Sequence, residues 1–197
     1  MTKKAGLACC LVVCLLGIGV AANSALGDDT HKAEIDALKK ALEKYQDPYT
    51  AVRDLYLSTV GCVYYSGEKI PDHMDYAKGA MGIHFVNVTV TGPEPDPMRP
   101  NVLIYEPHGN KLTLVGVEWL VPLKSGMKRP ELFGQPFQGP MEGHYPLIPT
   151  AFHHYDLHVW LFRENPNGLF SSTNPNVSCE NYDFALLEQP TKMVPEQ

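Results

Sequence analysis

Residues 112–121 read LTLVGVEWLV, and this stretch predicts a β-strand that is covered on both sides. Alternate residues of a strand point to opposite faces, and here both faces are apolar except for Glu118. A strand with two apolar faces belongs in the interior of a sheet. Glu118 is therefore predicted on an apolar face. Burying an unpaired carboxylate is costly, so Glu118 requires a proton, a cationic partner or a metal ion.

Three further stretches predict strands, at residues 83–89, 102–106 and 154–162, because β-branched and aromatic residues alternate there. Pro107-His108-Gly109-Asn110 separates two of the four strands and is typical of a hairpin turn. Residues 80–180 thus predict an antiparallel sheet that is curved or closed into a small barrel.

Residues 28–61 predict two helices. Apolar residues recur at helical spacing up to Tyr45, with lysines and glutamates between them. Asp47-Pro48 then suits an N-cap followed by proline at the first helical position, and the second helix is expected to end near Gly61. The predicted fold class is α+β, with an N-terminal helical pair packed on the curved antiparallel β-sheet or small β-barrel.

The start of the chain has the layout of a secretory signal peptide. A basic Lys3-Lys4 precedes an apolar run over residues 7–22, and small residues follow it. Cleavage after residues 22–27 would leave a single secreted or periplasmic domain over residues 28–190, with no stable membrane anchor. The alternative is an uncleaved anchor, for which the apolar run is short.

Charge and cysteine usage narrow the class of protein further. Lys3 and Lys4 are the charged residues of the leader, so their loss moves the formal charge from -6 to -8. A net charge this negative argues against nucleic-acid binding, which relies on a positively charged surface. Outside the leader only Cys62 and Cys179 remain, and an even pair in an oxidising compartment predicts one disulfide.

A long connection over residues 123–149 is rich in proline and glycine, yet it also carries many apolar side chains. A connection of this length is usually functional or mobile, and its apolar content predicts a lid or wall over the sheet. The polar tail after Phe184 is expected to be frayed.

Ligand-type residues occur at interior-looking positions on three of the strands. His84, Glu118 and His158 are predicted as metal ligands, with Asp156 as a fourth ligand or as an acceptor for an imidazole N–H. His154 and His144 are additional candidates. Residues four apart on a strand lie about 13 Å apart, so His154 and His158 are not expected on one ion.

These ligand types suit a divalent transition metal, namely zinc, copper, manganese or iron. The predicted function is a secreted metal-binding protein, with an enzymatic reaction and its catalytic residues left open. The same residues could instead form a buried polar network or a metal-free acid/base site, and Glu118 could pair with Arg99, Arg129 or Arg163. The alternative function is a non-catalytic binding module for a small apolar ligand or a protein partner.

Several segments resemble a family of uncharacterised secreted bacterial proteins. The segments that carry the resemblance are MGIHFVN (81–87), LVGVEWLVP (114–122), HYDLHVWLFRENPNGLF (154–170) and NPNVSC (174–179). The resemblance implies that the segments with His84, Glu118 and His158 belong to one recurring unit. It implies no reaction.

Two sequons for N-glycosylation are present, at Asn87 and Asn176. Whether either is used stays open from the sequence, and Asn87 falls within a predicted strand.

Overall fold

The computed structural model describes the backbone of residues 21–196 and the side chains of residues 31–196. Most of the predicted signal peptide lies outside these residues and stays a prediction. Within residues 21–196, no helix is both long and apolar enough to cross a lipid bilayer.

Two helices precede the sheet. Helix α1 covers Ala21–Leu42, a 3₁₀ turn covers Glu43–Gln46, and helix α2 covers Pro48–Arg53. Asp47 caps α2 as predicted, because its side chain accepts a hydrogen bond from the Tyr49 backbone N–H at 3.1 Å. The cap satisfies one of the N–H groups that the first helical turn leaves without a partner.

The second helix is shorter than predicted, and it ends at Arg53 instead of near Gly61. Leu55 has a left-handed backbone conformation, with φ of 70°, which breaks the helical repeat. Leu57–Tyr65 forms strand β1. This segment contains two valines, two tyrosines and one threonine, residue types that favour strands over helices.

The remaining strands are β2 (Gly79–Val86), β3 (Val102–His108), β4 (Lys111–Pro122), β5 (Glu131–Leu132), β6 (Gln135–Pro136), β7 (Gln138–Met141), β8 (His154–Val159) and β9 (Ala185–Leu187). Seven of the nine strands, β1 included, form a sheet in the order β7-β8-β4-β3-β2-β1-β9, and the sheet is curled into a half-barrel. Strands β5 and β6 form a separate small hairpin. Neighbours in the large sheet are antiparallel except β1 and β9, which are parallel.

Strand β4 lies in the interior of the sheet, between β3 and β8, as its two apolar faces predicted. Its residues from Leu114 to Val121 are all buried. One face contributes Val117 and Trp119 to the main hydrophobic core. The other face carries Glu118.

The C-terminal tail is ordered, contrary to the frayed tail that its polarity predicted. Strand β9 pairs with β1, and the Glu188 backbone N–H donates to the Tyr64 carbonyl at 3.0 Å. Glu188 and Thr191 are buried. The pairing partner lies far earlier in the chain, so the local composition of the tail does not reveal it.

An irregular backbone conformation at Gly82 in β2 contributes to the curl of the sheet. Its φ is +91°, and a Cβ there would lie 2.8 Å from the Tyr105 carbonyl oxygen. The strand register also shifts between Ile104 and Tyr105 where β3 pairs with β4. Such irregularities bend a strand and increase its twist, and they occur close to His84.

The predicted disulfide is present. Cys62 on β1 is bonded to Cys179, with 5.6 Å between the Cα atoms and a sequence separation of 117. The bond ties β1 to the segment that leads into β9, and both cysteines are buried in the main core.

Removal of the disulfide is expected to lower the free energy of unfolding by about 4–5 kcal/mol, because the bond restricts a long loop in the unfolded chain. Urea unfolding of Cys62→Ala/Cys179→Ala beside the oxidised wild-type protein measures the loss. Reductant should bring the wild type to the level of the variant and leave the variant unchanged. Equal midpoints for all samples would contradict the stabilising role.

Candidate metal site

Strand β8 presents a row of three buried polar side chains, His154, Asp156 and His158, which we call the β8 polar row. Each is at most 1% exposed. Across the ladder, His158 is the direct partner of Glu118 on β4, and Asp156 is the partner of Leu120. Because direct partners share a face of the sheet, Glu118 and the β8 polar row lie on the same side.

His84 reaches this side from β2. It pairs with Ile104 on β3, whereas Glu118 pairs with Val102 two positions away, so β3 lies between them. In the curled sheet the Nε2 atom of His84 nevertheless lies 3.4 Å from Oε2 of Glu118. Two strands that are not hydrogen-bonded to each other thus contribute to one cluster.

His84, Glu118 and His158 form a compact group. One ligand-type atom from each residue lies within 4.8 Å of those of the other two, and Nε2 of His158 is 3.9 Å from Oε2 of Glu118. The three side chains are nearly or fully buried, at 15%, 3% and 1% exposure. The structure therefore brings together the three residues that the sequence singled out.

Asp156 falls into a second group. Its carboxylate lies with His144 and His154, and the ligand-type atoms of these three are again within 4.8 Å of one another. The sequence had placed Asp156 beside the first three ligands. His154 and His158 belong to different groups, as the spacing along a strand requires.

His144 is held in place by contacts that the sequence did not predict. Its Nδ1 atom lies 3.0 Å from Oε1 of Glu188 and 3.2 Å from the hydroxyl of Tyr65. Its backbone carbonyl accepts a hydrogen bond from Ile148 at 2.7 Å. His144 is 8% exposed, so this part of the long connection is a wall of the site, as predicted. Glu188 was not predicted as a site residue, because the tail in which it lies was expected to be frayed.

Burial shifts the two carboxyl groups towards the protonated form. Desolvation, together with the charge of Asp156, raises the pKa of Glu118 well above its usual value of 4.5. Desolvation likewise raises the pKa of Asp156 to about 7, although the charge of His144 opposes the shift. Both carboxyl groups are therefore costly to ionise without a cation close by.

The histidines shift in the direction that favours neutral rings. Burial lowers the pKa of His84 and of His154 to about 3, and it lowers the pKa of His158 well below 6.5. Burial also acts to lower the pKa of His144, but the hydrogen bond to Glu188 and the nearby negative charges outweigh it and raise the pKa. Neutral imidazole is the form that binds a metal ion.

None of the three arginines that the sequence offered as partners forms an ion pair with Glu118 within residues 31–196. Arg163 pairs with Glu106 and Arg129 pairs with Glu196. In the described part of the chain, Glu118 has only the two histidines within ion-pair distance.

Several buried polar atoms in this region have no hydrogen-bond partner among the described residues. They are Oε2 of Glu118, both carboxylate oxygens of Asp156, both ring nitrogens of His158 and Nε2 of His154. Buried polar atoms in proteins are nearly always paired, so such a concentration in one place indicates a cluster shaped for a cation or for water.

Glu106 provides an internal comparison. It is as buried as Glu118, yet it is surrounded by donors, namely Arg163, Nε2 of His108 at 3.0 Å and the Ser178 backbone N–H at 2.9 Å. Among the described residues, both carboxylate oxygens of Glu106 thus have partners, whereas Oε2 of Glu118 has none.

A small cavity adjoins the first group. Its volume is about 20 Å³, and it is lined by His84, Glu118, Leu120, His144, Leu147, Ile148, Glu188 and five neighbouring side chains. A cavity needs about 10–15 Å³ to hold one water molecule, whereas pockets for drug-sized ligands measure about 300 Å³ or more. The space therefore suits an ion or a water molecule.

The sequon at Asn87 is engaged in the fold. Asn87 is buried, its amide donates to the Asp54 carbonyl at 3.0 Å, and its side-chain oxygen accepts from the Thr89 backbone N–H. A glycan on this nitrogen would disrupt the contact with the Asp54 carbonyl. The Asn176 amide donates to the Glu164 carbonyl at 3.2 Å, in an exposed position.

Comparisons with protein-family models, curated proteins and solved structures found no significant match to this chain. The resemblance to a family of secreted bacterial proteins thus stays a prediction.

The Glu118→Gln variant of the metal-free protein is expected to gain stability relative to the wild type as the pH rises. The raised pKa of Glu118 means that its contribution to stability is complete below about pH 4.5 and is lost as the pH rises towards the folded-state pKa. Glutamine does not titrate, so the stability of the variant relative to the wild type should increase between pH 5 and pH 8.

Urea unfolding at pH 5 and pH 8 with a chelator measures this difference, and Glu131→Gln on the exposed β5 is the control. A Glu118→Gln variant that is destabilised equally at both pH values would indicate a hydrogen-bonded carboxylate instead.

Proposed function

We propose that this protein binds a divalent transition-metal ion through His84, Glu118 and His158. The observation that carries the proposal is that their ligand-type atoms lie within 4.8 Å of one another inside the sheet, with Oε2 of Glu118 and both ring nitrogens of His158 lacking partners among the described residues. Two imidazoles and one carboxylate suit zinc, copper, manganese or iron.

The electrostatics support a cation at this place. The two histidines are neutral because burial lowers the pKa of each, so neither supplies a positive charge to Glu118. A divalent ion would offset the charge of the carboxylate and would occupy the lone pairs of the imidazoles. Metal binding would then release the proton that the raised pKa of Glu118 retains.

A purely structural polar network is less well supported. In such a network each buried polar group has its hydrogen-bond partners, as Glu106 does with Arg163 and Ser178. A binding site for a small apolar ligand under the same wall is also less well supported, since the cavity of about 20 Å³ is too small for one.

Three protein ligands leave room for an exchangeable ligand on the metal, as in catalytic zinc sites. The adjoining cavity is large enough for one water molecule. A metal-bound water of this kind supports hydrolysis, and a redox-active ion would support oxygen chemistry. The proposal extends to metal binding and leaves the reaction open.

We also propose that the protein is secreted or periplasmic and has no membrane anchor after cleavage of the leader. The leader sequence supports this, and so does the Cys62–Cys179 disulfide, because disulfides persist in oxidising compartments.

We further propose that the N-terminal helical pair packs against the sheet. Leu38 and Leu42 of α1 belong to the same hydrophobic cluster as residues of β3 and β4. The hydroxyl of Tyr105 on β3 donates to the Tyr45 carbonyl at 2.6 Å.

Elemental analysis and calorimetric titration test metal binding. Chelator-treated protein titrated with zinc should bind it tightly. When zinc is present at 1,000 times its dissociation constant, the free energy of unfolding should rise by about 4 kcal/mol. His84→Ala/His158→Ala should abolish binding that depends on this group.

His73→Ala is the matched control, because the His73 ring contacts the Pro71 carbonyl at 2.8 Å and belongs to neither group. Cobalt substitution, followed by its visible absorption bands, gives an independent readout of imidazole ligation. Unchanged metal content in the double variant would overturn the proposed site.

The helix proposal is tested by Leu38→Ala, which should cost about 2–5 kcal/mol because Leu38 is fully buried. The fluorescence of buried Trp119 on β4 reports unfolding of the sheet. Leu57→Ala, at a position 60% exposed, should cost much less. If Leu38→Ala leaves the unfolding of the sheet unchanged, the helices do not pack on it.

A further inference from the structure

We infer that His144, His154 and Asp156 form a second metal site, so that one folded chain takes up two divalent ions. This inference goes beyond the first site, since it rests on three different ligands. The ligand-type atoms of the three residues lie within 4.8 Å of one another. All three side chains are buried, at 8%, 0% and 0% exposure.

His154 is oriented as a metal ligand. Its Nδ1 atom lies 3.3 Å from the Phe152 carbonyl oxygen. A carbonyl only accepts hydrogen bonds, so Nδ1 carries the proton and Nε2 carries the lone pair. Nε2 is buried and has no hydrogen-bond partner among the described residues.

His144 is oriented in the same way, by a carboxylate. Oε1 of Glu188 lies 3.0 Å from Nδ1 of His144, so in the neutral ring the proton is on Nδ1 and the lone pair is on Nε2. A carboxylate that accepts from the distal nitrogen of a histidine ligand is a common feature of metal sites, where it fixes the ring and raises its basicity. Glu188 is therefore a positioning residue of the second site.

Asp156 supplies the charge. Both of its oxygens are buried and have no hydrogen-bond partner in the described part of the chain. Among residues 31–196 it forms no ion pair with a lysine, an arginine or a histidine. A divalent ion would offset this charge and would satisfy both oxygens at once.

The second site is distinct from the first because of strand geometry. Asp156 and His158 are two residues apart on β8, which separates their Cα atoms by about 6–7 Å. His154 lies a further two residues away from the first group. Each group therefore has one carboxylate and two imidazoles of its own, a composition that suits the same class of divalent transition metals.

The second site also draws its parts from segments that are distant in sequence. His144 comes from the long connection, His154 and Asp156 come from β8, and Glu188 follows β9. An ion held here would therefore stabilise the docking of the connection and of the C-terminal tail.

The test is the number of zinc ions bound by the chelator-treated full chain, measured by elemental analysis after gel filtration and by calorimetry. Wild-type protein is expected to bind two ions. His154→Gln/Asp156→Asn is expected to bind one, and so is His84→Gln/His158→Gln, while His73→Gln keeps both. Glu188→Gln should weaken binding at the second site by about 10–100-fold and leave the first unchanged. Circular dichroism checks that each variant folds.

A variant-free readout is ¹¹³Cd NMR of the wild-type protein, which should show two signals. If the wild type binds one ion and only His84→Gln/His158→Gln loses it, the second site is overturned and the first is retained. If the wild type binds one ion and only His154→Gln/Asp156→Asn loses it, the second site is supported and the first is overturned. One ion that is lost in both variants, or no bound ion, overturns the second site.

Discussion

The cost of burying Glu118 and Asp156 is the constraint on which the rest of the site depends. Both carboxyl groups lie inside the sheet, and neither has a lysine or arginine partner among the described residues. Their neighbours are histidines, three of which are neutral because burial lowers the pKa of each ring. Such an arrangement is unfavourable for the isolated protein. A bound cation would offset this cost, and this is the physical basis of the proposed metal site.

The fold is organised around this polar interior. The curl of the sheet brings His84 on β2 to Glu118 on β4 across an intervening strand. The connection after β7 contributes His144 as a wall, and the segment after β9 places Glu188 behind it. The Cys62–Cys179 bond joins β1 to the segment that precedes β9.

Much of the scaffold could be predicted from the sequence, because the signals are local. Alternating apolar residues predicted the four main strands, the two apolar faces of 112–121 predicted an interior strand, and the two cysteines outside the leader predicted the disulfide. Local signals failed at α2, which ends at Arg53 and not near Gly61, since the strand preference of Leu57–Tyr65 prevails. They also failed at β9, whose parallel pairing with β1 is a long-range contact.

The sequence by itself determined which chemical groups are present and which of them share a face of a strand. It thereby singled out His84, Glu118 and His158, and strand spacing separated His154 from His158. Only the tertiary structure decided how these groups are divided. Asp156 lies with His154 and His144, and the Glu188 carboxylate contacts Nδ1 of His144. The physical reason is that convergence of side chains from β2, β4, β8, a connection and the tail depends on sheet curl and strand order, which no local periodicity encodes.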